Sequence, residues 1–264
     1  MTWLLQARAL FRRDFLTDVR HRLIYVYLIG EAALALVSYA FLSRVFGDAR
    51  PDGYAPLPFL LVGIALTDSM TTSIVYLAQG VRNNQQTGTL KAMLAMPVSP
   101  LRMMCLSMPY PLVRAALDFL IFLGVAIALG LPVAAINAGG AIVVFVLAVS
   151  AMTSFAIVSA AFAVAFKRGD PVRWALASVT WLLSGVLYPT NVLPPFLERF
   201  ASLLPTTHAL RAIRATIIDG AGLATVASDL TVLAGFAFIG IPLALAGFRI
   251  AVDYSRREGT LGHS

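Results

Sequence analysis

The chain has 264 residues, 59% of them apolar and only 12% charged, with a mean hydropathy of +0.83. Soluble domains carry roughly 25% charged residues, so the composition excludes one and identifies an integral membrane protein. The net charge of +7 would suit a nucleic-acid binder, but no basic stripe with interleaved aromatics accompanies it. Nucleic acid is therefore not an expected partner, and the basic residues are read as orientation signals.

Residues 1–22 come first and are expected to form a cytoplasmic interface helix. Trp3, Leu4, Ala7, Leu10, Phe11 and Phe15 recur at helical spacing, opposed by Arg8, Arg12 and Arg13, the pattern of an amphipathic helix lying in the headgroup plane. Those arginines stand where a signal peptide would be apolar. Asp14 and Asp18 intrude on the apolar face, so the pattern is expected to fail after Phe11; a plain basic flank that orients the first span is the alternative.

A bilayer core of about 30 Å needs about 20 apolar helical residues. Six stretches qualify, near 23–46, 57–80, 109–131, 138–166, 172–189 and 230–250, the fifth being the shortest. With six spans, 15 of the 20 lysines and arginines share one side, leaving Arg44, Arg50, Arg199, Arg211 and Arg214 on the other. Positive charge marks the cytoplasmic side, so both termini are expected there. The fold class is all-α, one membrane domain over residues 1–264.

Between the second and third stretches, residues 81–108 form a polar cytoplasmic segment. Within "QQTGTLKAMLAMPVSP", Thr87 or Thr89 can cap a short helix through Leu90, Met93 and Leu94 that Pro97 ends. Such a helix offers an apolar ridge to a partner outside the membrane, or rests on headgroups.

Residues 190–229, between the fifth and sixth stretches, should lie on the opposite side as a helical hairpin. Pro195 can start a helix carrying Phe196, Leu197, Phe200, Leu203 and Leu204, which Pro205 stops. Thr206 or Thr207 can cap a second helix through Leu210, Ile213 and Ile217, closed by Gly220. Each is about half a bilayer long, which suits a re-entrant hairpin from the outer face; a loop resting on the bilayer is the alternative.

Three acids fall within the apolar stretches. Asp118 has Arg114 four residues before it as a structural partner. Glu31 and Asp68 lack an opposite charge nearby in sequence and are candidates for the transport path, with Thr67, Ser69, Thr71, Thr72 and Ser73 as candidate hydrogen-bond partners. Phe41, Tyr54, Phe59 and Tyr76 are aromatics that could stack on sugars or serve only in packing. The single cysteine, Cys105, and the scattered His21, His208 and His263 give no support to a metal site.

Two motifs together resemble the membrane subunit of ABC-2 type transporters, the exporter permeases. "RNNQQTGTLKAMLAMPVSP" is similar to that family's cytoplasmic coupling segment, and "SGVLYPTNVLPPFLERFASLLPTTHALRAIRATIIDG" to its outer re-entrant signature. "KRGDPVRW" and "RREGTLG" resemble a branch associated with export of polysaccharides or amphiphiles. The resemblance implies six spans per subunit, two permeases per transporter, as a homodimer or a pseudo-symmetric heterodimer, and two separate ATPase subunits carrying MgATP. It places the complex in the bacterial cytoplasmic membrane.

On this resemblance Arg82, Gln85, Gln86, Thr87, Gly88, Thr89, Leu90, Lys91, Met93 and Leu94 couple to the ATPase. Tyr188, Pro189, Asn191, Pro194, Pro195, Pro205, Thr207, Arg211 and Arg214 belong to the outer hairpin and gate, where the two arginines either meet an anionic headgroup or anchor the hairpin. Lys91 stands where the family often has Glu, which predicts an ATPase with a more acidic groove. The chain contains no G-x-x-x-x-G-K-[ST] loop, so it is not itself an enzyme, it needs no cofactor of its own, and ATP hydrolysis falls to a partner. The expected cargo is a lipid-linked glycan, polysaccharide or similar amphiphile, with a hydrophobic drug or antibiotic as alternative. A secondary transporter is the further alternative, although matched halves with broken helices are not apparent, and membrane lipid surrounds the whole.

Overall fold

The computed structural model describes residues 2–20, 23–47, 50–86, 100–132, 136–166 and 171–257. Among these every regular element is helical: α1 (Thr2–Arg20), α2 (Leu23–Val45), α3 (Pro56–Gln86), α4 (Pro100–Ser107), α5 (Pro109–Ala128), α6 (Ala138–Phe166), α7 (Pro171–Leu183), α8 (Pro195–Ala201), α9 (Pro205–Ile218), α10 (Ala227–Gly235) and α11 (Ile241–Arg257). A π turn, Phe236–Gly240, joins the last two. Pro242 follows it and has no N–H to give the Phe238 carbonyl one turn back, a local deficit that a widened turn accommodates.

Five stretches among the described residues are long and apolar enough to cross a membrane: Tyr25–Val45, Pro56–Tyr76, Met104–Ala128, Ala138–Val164 and Ala227–Tyr254. They correspond to the first four and the sixth of the expected spans. The fifth, expected over 172–189, is met only in part: α7 has 13 residues, about 20 Å of helix. It ends because the backbone turns left-handed at Gly185, φ +79°, and between Pro189 and Pro194 the chain makes only a short 3-10 turn, Thr190–Val192, before Pro195 opens α8.

The core is α3 and α6, packed against each other and flanked by α5, α9 and α11. In α3, Phe59 through Leu66 are all buried, so this helix has no lipid-facing stripe in its first half. α2 lies at the edge with Val26, Tyr27, Ile29, Leu34 and Phe41 exposed. In α9, ten residues are buried, from Pro205 to Ile217. The second helix of the hairpin is therefore a core element, not a loop lying on the bilayer.

α1 corrects a sequence expectation. The helix does not lose its pattern after Phe11 but runs to Arg20, because Asp18 is buried and satisfied. The Tyr76 hydroxyl donates to Asp18 Oδ2 at 2.8 Å, the Tyr110 hydroxyl donates to the same oxygen, and Arg114 Nη1 stands 3.9 Å from it. Phe11 packs edge-on against Tyr110 with centroids 5.6 Å apart. One carboxylate thus ties α1 to α3 and α5. Arg114 also pairs with Asp118 at 3.3 Å, as expected from their spacing.

Hydrogen bonds to a charged acceptor contribute about 1.5–3 kcal/mol each. Asp18→Asn should therefore lower the unfolding midpoint of the purified protein, and Tyr110→Phe should lower it less, because Tyr76 and Arg114 still engage the carboxylate; thermal unfolding in detergent reads both.

Candidate functional site

The polar chemistry around residues 184–229 converges on α9. Arg214, on its third turn, is 3% exposed, and its guanidinium is held by main-chain oxygens. Nη1 donates to the Gly185 carbonyl at 2.9 Å, Nη2 to the Val186 carbonyl at 2.9 Å and Nε to the Phe59 carbonyl at 3.2 Å. The guanidinium carbon lies 3.5 Å from the centroid of the Phe59 ring, where the π-face adds electrostatic attraction. The break after α7 leaves carbonyls without helical partners, and Arg214 supplies them with donors. Gly63 makes room for it: a Cβ there would lie 2.3 Å from Arg214 Nη2 and 3.1 Å from the Val186 oxygen.

A second set of contacts holds the ends of the hairpin. Asp229, 4% exposed at the start of the last span, accepts from Arg211 Nε at 3.0 Å and pairs with His208 Nδ1 at 2.7 Å. His208 Nε2 reaches the Ser202 carbonyl at 2.9 Å. The Tyr54 hydroxyl donates to Asp219 Oδ2 at 2.7 Å, and burial, with Asp219 beside it, pushes this phenol above the usual tyrosine range. Asn137 receives the other side of α9: its N–H donates to the Thr216 carbonyl at 2.9 Å and its Nδ2 to the Ala221 carbonyl at 2.9 Å. Near the break, Ser184 and Thr206 share a hydroxyl–hydroxyl bond and the Tyr188 hydroxyl donates to the Leu182 carbonyl.

The structure places the expected gate residues unevenly. Pro189 is buried, while Asn191, Pro194 and Pro195 are exposed. The N-cap of α9 is Leu204, with Pro205 at the first helical position. Pro205 therefore opens the second helix, and Thr206 and Thr207, expected as caps, are buried inside its first turn. Gly220 has φ +66° directly after the C-cap Asp219, the left-handed residue expected there. Arg214 binds carbonyls, and Arg211 is committed to Asp229 with its side chain 62% exposed. Anchoring, the second of the two roles weighed for them, is what these contacts support.

The candidate path residues separate. Glu31 is exposed on α2, where it lines an open groove of about 560 Å³ with Tyr27, Gly30, Leu34, Ala35 and Ser38. Asp68 is partly buried in α3, with Asp118 and Glu31 as its nearest charged neighbours. The hydroxyls expected to serve it turn elsewhere: Thr67, Ser69, Thr71 and Ser73 donate to carbonyls of their own helix, and Thr72 hydrogen-bonds Asp118. Of the aromatics considered for stacking, Phe59 is occupied by Arg214, and Tyr54 and Tyr76 are hydrogen-bonded to acids. Among the described residues, no group of His, Cys, Asp and Glu could hold a metal ion.

Thr87, Gly88, Thr89, Leu90, Lys91, Met93 and Leu94 lie outside the described residues, as does the whole expected coupling helix between α3 and α4. Arg82, Gln85 and Gln86 lie on the last turns of α3. Sequence reasoning missed Gly63, Asp219 and Asp229, and gave His208 no role. The "TTHALRAIR" run signals a polar stripe on one helix, but nothing local indicates that its partners are a span residue 155 positions away and the first turn of the next span.

These features define a multi-pass helical membrane protein with an internally packed, polar-anchored hairpin before its final span. The model of the ABC-2 type transporter family matches residues 5–218, from α1 to the last residue of α9, and the chain belongs to that family. Its members are the transmembrane components of ABC transporters and work with an ABC ATPase. No curated protein matches the chain.

Arg214→Met leaves the Gly185, Val186 and Phe59 carbonyls without their charged donor, at about 2–4 kcal/mol. It should lower the unfolding midpoint more than Arg211→Met, whose side chain is largely solvated. Gly63→Ala should reproduce the Arg214 defect without touching the arginine, since the methyl group occupies the guanidinium's place. Thermal unfolding of the three purified variants in detergent makes the comparison.

Proposed function

We propose that this chain is the permease of an ATP-driven exporter of the cytoplasmic membrane, working as two permease copies with two separate cytoplasmic ATPases. Family membership over residues 5–218 carries the reading. The coupling segment, with Arg82, Gln85, Gln86 and residues 87–94, would dock in a cleft on the ATPase, with both termini on the same side. ATPase closure would then move α3 and α5, and α1 with them through Asp18. The buried tethers of α9 support a hairpin that moves as a unit with α3 and α10, its gate being the exposed Asn191–Pro195 edge against the second permease. Glu31 and Asp68 would border the path: an exposed carboxylate in an apolar helix costs about 2.5–3.5 kcal/mol against lipid, which favours water or a second subunit on that face of α2.

The cargo is a lipid-linked glycan, polysaccharide or similar amphiphile. The likeness of the 167–174 loop and the C-terminal ending to that branch supports it, and so does an apolar groove of about 510 Å³ between α6 and α11, lined by Phe155, Val158, Phe162, Leu243 and Gly247, which suits an acyl tail. The same groove suits a hydrophobic drug, the second reading.

The deciding experiment reconstitutes the permease in lipid with its ATPase and measures ATP hydrolysis against lipid-linked glycans and amphiphilic drugs. Stimulation by glycans is expected, and stimulation by drugs alone would transfer the assignment. Lys91→Glu should weaken copurification of the native ATPase several-fold, because it reverses the charge offered to an acidic groove; unchanged copurification would refute the acidic-groove assignment.

A further inference from the structure

We infer that His208 is a proton-operated latch that fastens the C-terminal end of α8 to α9 and α10, closed when the ring carries both protons and released when one is lost. The inference rests on the reading of the hairpin as the outer end of the permease.

The argument begins with valence. Both ring nitrogens of His208 face oxygen acceptors: the Asp229 carboxylate at 2.7 Å and the Ser202 carbonyl at 2.9 Å. A neutral imidazole has one N–H and one lone pair, and a lone pair held at either distance from an oxygen is repelled. Only the imidazolium satisfies both contacts. Arg211 Nη2 is 3.2 Å from Nδ1, but it shares the same carboxylate, and the shorter Asp229 contact assigns the Nδ1 proton. Among the described residues, the charged groups facing the ring are Asp229 from α10 and Arg211 from α9, while α8 contributes only the neutral Ser202 carbonyl.

Those partners set both the direction and the contact that is lost. The hydrogen bond to Asp229 raises the His208 pKa above its ordinary 6.5, outweighing burial and the neighbouring Arg211. A group with a raised pKa contributes its full stabilisation below the ordinary value and loses it as the pH climbs through the raised one. When one proton leaves, the charge-assisted bond to Asp229 is the stronger of the two and keeps Nδ1–H. The bond to Ser202, the residue directly after α8, is lost. Arg211 still joins α9 to α10, so the change is confined to the hairpin's first helix. Rising pH outside the cell frees α8, and acid fastens it.

Ala201 reports this directly, being completely buried one residue before Ser202, while Leu203 one residue after it is 68% exposed. Ala201→Cys and Leu203→Cys are each placed in a Cys105→Ser background and labelled with a membrane-impermeant maleimide added outside intact cells. The ratio of the two rates cancels the thiolate's own pH dependence. With His208 present, the ratio should rise about tenfold between about pH 5.5 and about pH 8.5, the loss of one hydrogen bond from a charged donor. With His208→Gln it should be high and flat. A flat ratio with His208 present, or the same rise in His208→Gln, would overturn the latch. Failure of Leu203→Cys to label from outside, with labelling in inside-out vesicles, would overturn the outer placement and the latch with it.

Discussion

A guanidinium that water cannot reach must find its hydrogen bonds within the protein, and the arrangement of the helices around α9 follows from how Arg214 does so. Its donors are taken by two carbonyls freed at the end of α7 and one on the first turns of α3. The charge is spread over backbone dipoles and an aromatic face instead of being neutralised by a carboxylate. An ion pair would have fixed one side chain to another, whereas three carbonyls fix one helix to the backbone of two others. That explains why α9, only 14 residues long, is held as firmly as a span, and why the chain can leave the helical path at Ser184 without exposing unpaired polar groups in an apolar environment.

The end of the bundle where α1 packs uses the same economy with opposite charge. Asp18 gathers two tyrosine hydroxyls and the edge of an arginine. Arg214 and Asp18 are thus buried ionic groups that each serve as a node for three elements, and the apolar packing between α3 and α6 connects the nodes. The uneven surface follows from this layout. The face of α6 and α11 is apolar and grooved, whereas the face of α2 carries Glu31. A membrane protein surrounded only by lipid would have no use for that asymmetry.

The apolar runs were legible in the sequence because lipid imposes a length and a composition on a span, and the ends of α2, α5 and α6 fall within a few residues of the expected ones. The two-helix form of the hairpin was legible from its prolines and Gly220. The length of α7 was not, since Ser184 to Leu187 are as apolar as a helix needs and only the left-handed Gly185 ends it. Pro205 was read as a stop because it follows an apolar run, but its fixed φ serves a first turn equally well. Asp18 was read as an error in an amphipathic pattern because its partners lie 58 and 92 residues away. Asp68 was given hydroxyl neighbours by sequence proximity, yet a threonine or serine on a helix has a carbonyl of its own helix within reach. For Asp18 the miss lay in long-range partners that no spacing rule encodes, and in the other cases in a local backbone choice that the same residues leave open.

The continuity of α3 has a mechanical consequence. The helix has 31 residues, about 46 Å, against a hydrocarbon core of about 30 Å, so about 16 Å of it projects beyond the core. Phe59, near its first turn, is held by Arg214, and the described helix ends at Gln86 with no proline or glycine pair between them to bend it. A rod clamped at one end acts as a lever with its fulcrum there, and with an arm of about 40 Å a tilt of roughly 5° sweeps the far end through about 3–4 Å. A small rotation at the fulcrum and a displacement of several ångströms at the far tip are then one motion, and the gearing between them is set by helix length alone.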